Sequence, residues 1–327
     1  MTLQLSLVIP AYNEADRLAA GLDRLHDAVA KGAIDPITTE FVLVDDGSAD
    51  DTAGRAKELL ALYPHVQIVR LPENLGKGAA VRAGVAAATG RLIAFADADM
   101  AIDPGQTPEF VSALATHHVA IGSRAATGAS VDRPSLRRSL MNRSFNRLVN
   151  LMTRVSLADT QCGFKAFHAP AAKLLFHLST TERFAFDVEV LSLARRLQLS
   201  IAEVPVHWLR VGGSRIRPWT DTVSMVRDVF RAGRRVGSAV TVPCWDFDLG
   251  DPDDLSRRLP PGLPLLRRPD GRMVAACPFA DEAGIEEIGA AVTLFSAVPR
   301  RGAMTVAQLG RCTPLWLASG AEIPSSS

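Results

Sequence analysis

Residues 92–99 read LIAFADAD: a short apolar run, Leu92 to Ala96, delivers two carboxylates, Asp97 and Asp99, with one residue between them. A brief apolar stretch that ends in turn-forming acids is the pattern of a strand buried on both faces of a parallel sheet. Working outward, the same pattern recurs at Leu5–Ile9, Glu40–Val44, Val66–Arg70 and Val119–Gly122. Between these runs, Asp16–Val29, Asp50–Tyr63 and Gly78–Ala88 carry apolar residues at spacings of three and four, with Gly90 as a C-terminal stop for the last. Strands alternating with amphipathic helices predict an α/β fold with a mostly parallel central sheet. Ligands of such sheets bind beyond the carboxyl ends of the strands. Three of those ends carry Asn13-Glu14, Asp45-Asp46 and Asp97 to Asp99, which predicts three acidic loops around one crevice. Any one of them alone reads equally well as a turn or helix cap.

The chain has 327 residues, 36 Lys and Arg against 35 Asp and Glu, and four scattered cysteines without a Cys-x-x-Cys pair. A balanced charge gives no argument for a nucleic-acid partner, and the cysteine pattern excludes a disulfide scaffold and fits a reducing cytoplasm. No basic leader or cleavage site precedes Leu3, so no signal peptide is expected, and no apolar run approaches the roughly 20 residues of a transmembrane helix. Prolines crowd the sequence after residue 240. The expected division is therefore a catalytic domain over 1–240 and a Pro-rich C-terminal extension over 241–327, of uncertain fold. In that extension Leu249–Asp270 reads as linker, and Glu282–Val298 as a short helix followed by a strand.

Two carboxylates at i and i+2 can approach one hard cation and leave positions free for phosphate oxygens. The Asp97/Asp99 pair is accordingly the candidate site for Mg²⁺ or Mn²⁺, acting as a Lewis acid on a departing diphosphate. Asp-x-Asp alone is also a common strand-ending turn. Gly76-Lys77-Gly78 precedes a helix, so its backbone N–H groups and the Lys77 ammonium can face a phosphate, or simply form a turn with a solvated lysine. Neither Walker spacing nor Gly-x-Gly-x-x-Gly is present, which argues against ATPase and dinucleotide readings. Arg124, just past a predicted strand, can pair with a phosphate through two of its guanidinium nitrogens. The seven histidines show no metal-ligand spacing.

LSLVIPAYNE at 5–14, FVLVDDGSADD at 41–51, NLGKG at 74–78, GSR at 122–124, DTQCGFK at 159–165 and RFAFDVE at 183–189 occur in this order. Together they resemble the family 2 inverting glycosyltransferases, and the later members resemble the dolichyl-phosphate β-glucosyltransferase branch of the polyprenyl-phosphate sugar synthases. The resemblance covers about residues 3–235 and implies a GT-A fold, the Rossmann-like nucleotide-diphospho-sugar transferase architecture. It implies that Pro10, Ala11, Tyr12 and Glu14 line the nucleotide pocket and that Asp45 and Asp46 sit near the base or ribose. It places Lys77, Asp97, Arg215 and Arg217 around the phosphates, and Asp159 and Gln161 on the acceptor side. Asp99, Arg124 and Asp159 are then the candidate catalytic residues, with Asp159 dispensable as a base if the acceptor is already an anion. Arg183, Asp187 and Glu189 either serve the site or hold the fold. Several relatives carry Gln two residues after the second Asp, where this chain has Ala101. Low metal affinity without nucleotide is therefore expected.

The implied partners are a nucleotide-sugar donor, UDP-glucose favoured over GDP-mannose, and a polyprenyl phosphate acceptor. Ser135–Val155 and Pro218–Val236 each project apolar residues on one side of a helix and arginines on the other. That pattern suits either an interfacial membrane helix or a helix packed on its own domain. The expected location is cytoplasmic, peripheral on the inner face of the membrane. A transfer to a non-lipid acceptor and a non-catalytic scaffold with a partner-binding tail are the competing readings.

Overall fold

The computed structural model describes residues 3–132, 157–209, 241–248, 259, 263–293 and 299–315. The predicted segments Ser135–Val155 and Pro218–Val236, and with them Arg215 and Arg217, lie outside the described residues.

The first half alternates as the sequence pattern implies: β1 (Leu5–Ala11), α1 (Leu18–Ala30), β2 (Thr39–Asp45), α2 (Thr52–Leu60), β3 (Val66–Arg70), α3 (Lys77–Ala87), β4 (Leu92–Ala96), α4 (Thr107–Ala113) and β5 (Val119–Ser123). There follow β6 (Ser130–Val131), β7 (Phe164–His168), α5 (Ala169–Leu178), α6 (Phe186–Arg196), β8 (Ile201–Pro205) and β9 (His207–Trp208). Seven strands form one sheet in the order β3-β2-β1-β4-β7-β5-β8, and only β7 runs antiparallel to its neighbours. This is the GT-A-like α/β architecture. Alternate residues of β1 face opposite layers. Leu7 and Ile9 join Leu43 and the apolar faces of α1 and α2, whereas Val8 joins Val44, Phe95 and the residues of α3, α5 and α6.

Strand β7 escapes the sequence pattern because Lys165 is its second residue. Burying a lysine in a sheet requires a paired counter-charge, and here Asp187 of α6 supplies it at 2.6 Å. Gly90 also differs from its expected role as a helix stop. Helix α3 ends at Ala87, and a Cβ at Gly90 would lie 2.7 Å from the backbone of Leu5 and Ser6. The residue is small because β1 passes against it.

At the start of β5, His118 is buried and its Nδ1 accepts a hydrogen bond from the Ser200 N–H at 3.0 Å. Burial first, then neighbouring His168 and His117, push its pKa from 6.5 down to about 4. The unfolded chain therefore binds a proton in this window that the folded chain refuses, and stability should fall as pH drops from 6.5 towards 4. Urea unfolding at pH 7 and pH 5 checks this. A His118→Gln variant should show a shallower loss between the two.

The C-terminal region is more ordered than its composition implies. Strands β10 (Thr241–Phe247), β11 (Leu265–Arg267), β12 (Met273–Ala276), β13 (Arg300–Thr305) and β14 (Thr313–Pro314) form an antiparallel sheet in the order β13-β10-β12-β11-β14. The helix expected near Glu282 is α7 (Glu282–Thr293), with α8 (Val306–Leu309) following β13. Leu265–Arg267 lies inside the stretch expected to be linker. Its hairpin to β12 turns at Pro269-Asp270-Gly271, where Gly271 has φ +89° and its N–H bonds the Arg268 carbonyl. Pro-Asp-Gly is a turn signal of definite chemistry, hidden here because the flanking strands are only three and four residues long. One sheet face holds Phe247, Leu265 and Met273 against Ile285, Ile288 and Val292. On the opposite face, Val242, Cys244, Leu266 and Val274 merge with the core around α5 and α6.

Candidate active site

The loops after β1 and β2 are stitched to each other. The Asn13 N–H donates to Ser48 Oγ at 2.9 Å, the Glu14 N–H to Thr52 Oγ1 at 2.8 Å, and the Ala49 N–H to Asn13 Oδ1 at 2.8 Å. Asn13 adopts φ +52°, which a side chain bonding locally to the backbone helps to hold. Pro10 and Ala11 are buried, whereas the Tyr12 ring is 41% exposed, as an aromatic wall for a planar base requires. Glu14 is held in a fork by Arg17, at 2.5 and 2.9 Å.

Asp45 and Asp46 are both buried, and their carboxylates point into the protein. Asp45 accepts from the Ser48 N–H at 2.9 Å and lies 3.3 Å from Arg70. Asp46 accepts from the N–H groups of Leu75 at 2.9 Å and Gly76 at 2.8 Å, and from the Asn74 amide at 3.2 Å. Desolvation raises the Asp46 pKa in spite of these donors. The two residues hold the loops that shape the crevice, with Asp46 anchoring the Asn74–Lys77 turn.

That turn carries Lys77 to Asp97. The Lys77 ammonium lies 2.5 Å from Asp97 Oδ1, a buried oxygen. Asp99 is exposed, and its Oδ1 accepts only from the Ala101 N–H, at 3.1 Å, among the side-chain bonds described. Desolvation in the crevice and the adjacent Asp97 carboxylate push the Asp99 pKa up. Two carboxylates in mutual repulsion, one holding an ammonium, form an all-oxygen donor set that fits a hard divalent cation. The described residues offer no group of three metal-binding side chains, so a cation here would share its remaining positions with phosphate or water.

The motif itself is gripped from three sides. Arg24 of α1 donates to the Asp99 carbonyl at 2.9 Å, Met100 turns the chain with φ +44°, and the Asp97 N–H bonds the Gly163 carbonyl at 3.2 Å. Nothing in the sequence pattern marks Arg24, and Gly163 stands inside the DTQCGFK motif with no role assigned to it; their importance comes from contacts 75 and 66 residues away in sequence. A Cβ at Gly163 would lie 2.3 Å from Asp97 Oδ2. Gly163→Ala is thus expected to displace the carboxylate and lower turnover about a hundredfold, the usual cost of a misplacement near 1 Å. Steady-state rates beside thermal melts check it: the rate should collapse while the melting temperature shifts little.

Just past β5, Arg124 grips Asp159 with Nε at 2.6 Å, Nη2 at 3.0 Å and its own N–H at 3.1 Å. Although burial alone would raise the Asp159 pKa, the Arg124 hydrogen bonds and charge bring it below the ordinary carboxylate value. Asp159 is then a poor proton acceptor and a good anchor for Arg124. The Gln161 N–H also bonds Asp159, at 3.2 Å. Glu189 collects Ser179, Thr180 and Thr181 through four hydrogen bonds of 2.7–3.1 Å. This presses the 181–183 backbone against Gly76 and Gly78, where a Cβ would come within 2.7 and 2.5 Å of the Glu182 and Thr181 carbonyls. Asp187 and Glu189 therefore serve the fold and, through it, the Lys77 turn.

A family profile described as glycosyl transferase family 2 matches residues 6–176. Dolichyl-phosphate beta-glucosyltransferase of Drosophila melanogaster is 40% identical over 241 residues, spanning 70% of this chain and 74% of its own. The human enzyme of the same name is 35% identical, with the same 70% and 74% coverage, and that of Saccharomyces cerevisiae 37% identical, covering 69% and 72%. Among solved structures, glucosyl-3-phosphoglycerate synthase from Mycobacterium tuberculosis, in complex with Mn²⁺, UDP and phosphoglyceric acid, aligns with a TM-score of 0.54 at 20% identity. It covers 88% of this chain and 91% of its own. At that identity the likeness shows a shared fold.

Proposed function

Because the chain belongs to glycosyl transferase family 2, we propose that it transfers glucose from UDP-glucose to a polyprenyl phosphate of the dolichyl type, with inversion at the anomeric carbon. The observation that carries this reading is the 33–40% identity, over some 70% of the chain, to relatives named dolichyl-phosphate beta-glucosyltransferase. Asp97 and Asp99 would hold Mg²⁺ or Mn²⁺, which when bound supplies charge neutralisation for the departing UDP. Lys77 faces the same diphosphate. Tyr12 lines the base, with Pro10, Ala11 and Glu14 building the loop that presents it. Arg124, oriented by Asp159, meets the phosphate of the acceptor, and Gln161 closes that side.

An acceptor phosphate is already an anion at neutral pH, so it needs positioning more than deprotonation. The depressed pKa of Asp159 agrees with that requirement. The Asp132 N–H bonds the Trp208 carbonyl, and the Leu209 N–H bonds the carbonyl of Ala101, two residues beyond Asp99, so these described residues lie beside the Asp97–Asp99 turn. Among the described residues no helix is long and apolar enough to cross a membrane, and the proposed association is peripheral, on the cytoplasmic face.

The test is a screen of labelled UDP-glucose and GDP-mannose against dolichyl phosphate in detergent, with and without EDTA. Labelled lipid should form from UDP-glucose alone and disappear with EDTA. Transfer from GDP-mannose, or none from either donor, would refute the reading.

A further inference from the structure

Lys77 sits where a bound cation would lower the charge of the Asp97/Asp99 pair. Its ammonium is 2.5 Å from Asp97 Oδ1, its side chain is only 20% exposed, and it stands 5.8 Å from the centre of the Phe186 ring. The backbone beneath it is fixed. Gly76 has φ +108°, Gly78 lies flush against the Thr181 carbonyl, and the Ala79 N–H bonds the Glu182 carbonyl at 3.0 Å. The side chain alone can therefore carry the ammonium away from Asp97. Burial works against its charge, but Asp97 and Asp187 outweigh burial and keep its pKa above the ordinary lysine value.

A divalent cation on the Asp97 carboxylate and an ammonium 2.5 Å from its Oδ1 repel each other. Metal binding to Asp97 thus works against Lys77, and a nucleotide diphosphate offers a displaced ammonium a new anionic partner. We propose that Lys77 is the resident counter-ion of the metal site, and that its transfer from Asp97 to the donor diphosphate makes metal and nucleotide bind cooperatively. The inference rests on the metal-dependent reading above. It supplies a cause for weak metal binding without nucleotide that is separate from the missing ligand at Ala101.

Mn²⁺ binding to the full chain, followed by the electron paramagnetic resonance signal of free Mn²⁺ with and without UDP, tests it independently of turnover. Lys77→Met removes the charge and keeps the length, Lys77→Gln is a second neutral variant, and Lys77→Arg keeps the charge. In the absence of UDP, both neutral variants should bind Mn²⁺ about tenfold more tightly than the unaltered chain, within the usual range of coupling between sites. The tightening that UDP confers should shrink by the same factor, while Lys77→Arg should behave like the unaltered chain. Neutral variants that bind Mn²⁺ no more tightly without UDP would overturn the role of Lys77. An unaltered chain that binds no Mn²⁺ even with UDP would overturn the metal-dependent reading itself, and the inference with it.

Discussion

Asp187→Ala is expected to destabilise the protein by about 3–5 kcal/mol, the cost of stranding one partner of a buried ion pair. Lys165 and Asp187 retain only 1% and 7% exposure, and the ammonium donates to Asp187 at 2.6 Å and to the Cys162 carbonyl at 2.8 Å. Burial raises the pKa of Asp187 even beside this ammonium, so the pair is costly to keep and costlier to break. Without the carboxylate, a charged lysine remains buried in β7 under the Phe95 ring, whose centroid is 5.3 Å from Nζ. Chemical denaturation should show the midpoint of the variant shifted strongly downward. The double variant Lys165→Met, Asp187→Leu should recover much of the loss, because well-packed apolar residues can replace such a pair. A single variant as stable as the original would mean that the pair does not hold α6 to the sheet.

Asp99→Asn is expected to lower turnover about a thousandfold, the scale on which a single preorganised charge at a reacting diphosphate acts. The fold should not notice. Asp99 is exposed, and the Ala101 N–H that it accepts can be satisfied equally by an amide oxygen. The contrast between these two variants separates the residues that build the crevice from those that work in it. Melting curves and initial rates measured on the same preparations should place Asp187→Ala among the first and Asp99→Asn among the second.

The sequence reveals the elements whose signal is local. Strands β1 to β5 are short apolar runs, and the acids at their ends mark the crevice because a parallel sheet brings successive carboxyl ends to one rim. Two kinds of feature stay hidden. One is pairing between distant residues: Lys165 makes β7 look unlike a buried strand until Asp187 is placed beside it, and the anchoring of the Asn74–Gly76 turn on Asp46 appears only once the loops are folded together. The other is space. Gly163, Gly78 and Gly90 are small because Asp97, the 181–182 backbone and β1 lie against them, and no single-sequence pattern encodes that. The C-terminal sheet was obscured for a third reason, since three of its strands span only two to four residues, too short to show a period.

We propose that the crevice around Asp97 and Asp99 directs an inverting transfer of glucose onto a lipid phosphate. The most direct measurement is the anomeric configuration of the glucose in the lipid product formed from α-linked UDP-glucose and dolichyl phosphate, read from the anomeric proton coupling in its NMR spectrum. The account predicts a β-linked glucosyl phosphate lipid, produced by the unaltered chain and lost in Asp99→Asn. An α-linked product, or a lipid product that Asp99→Asn forms undiminished, would contradict it.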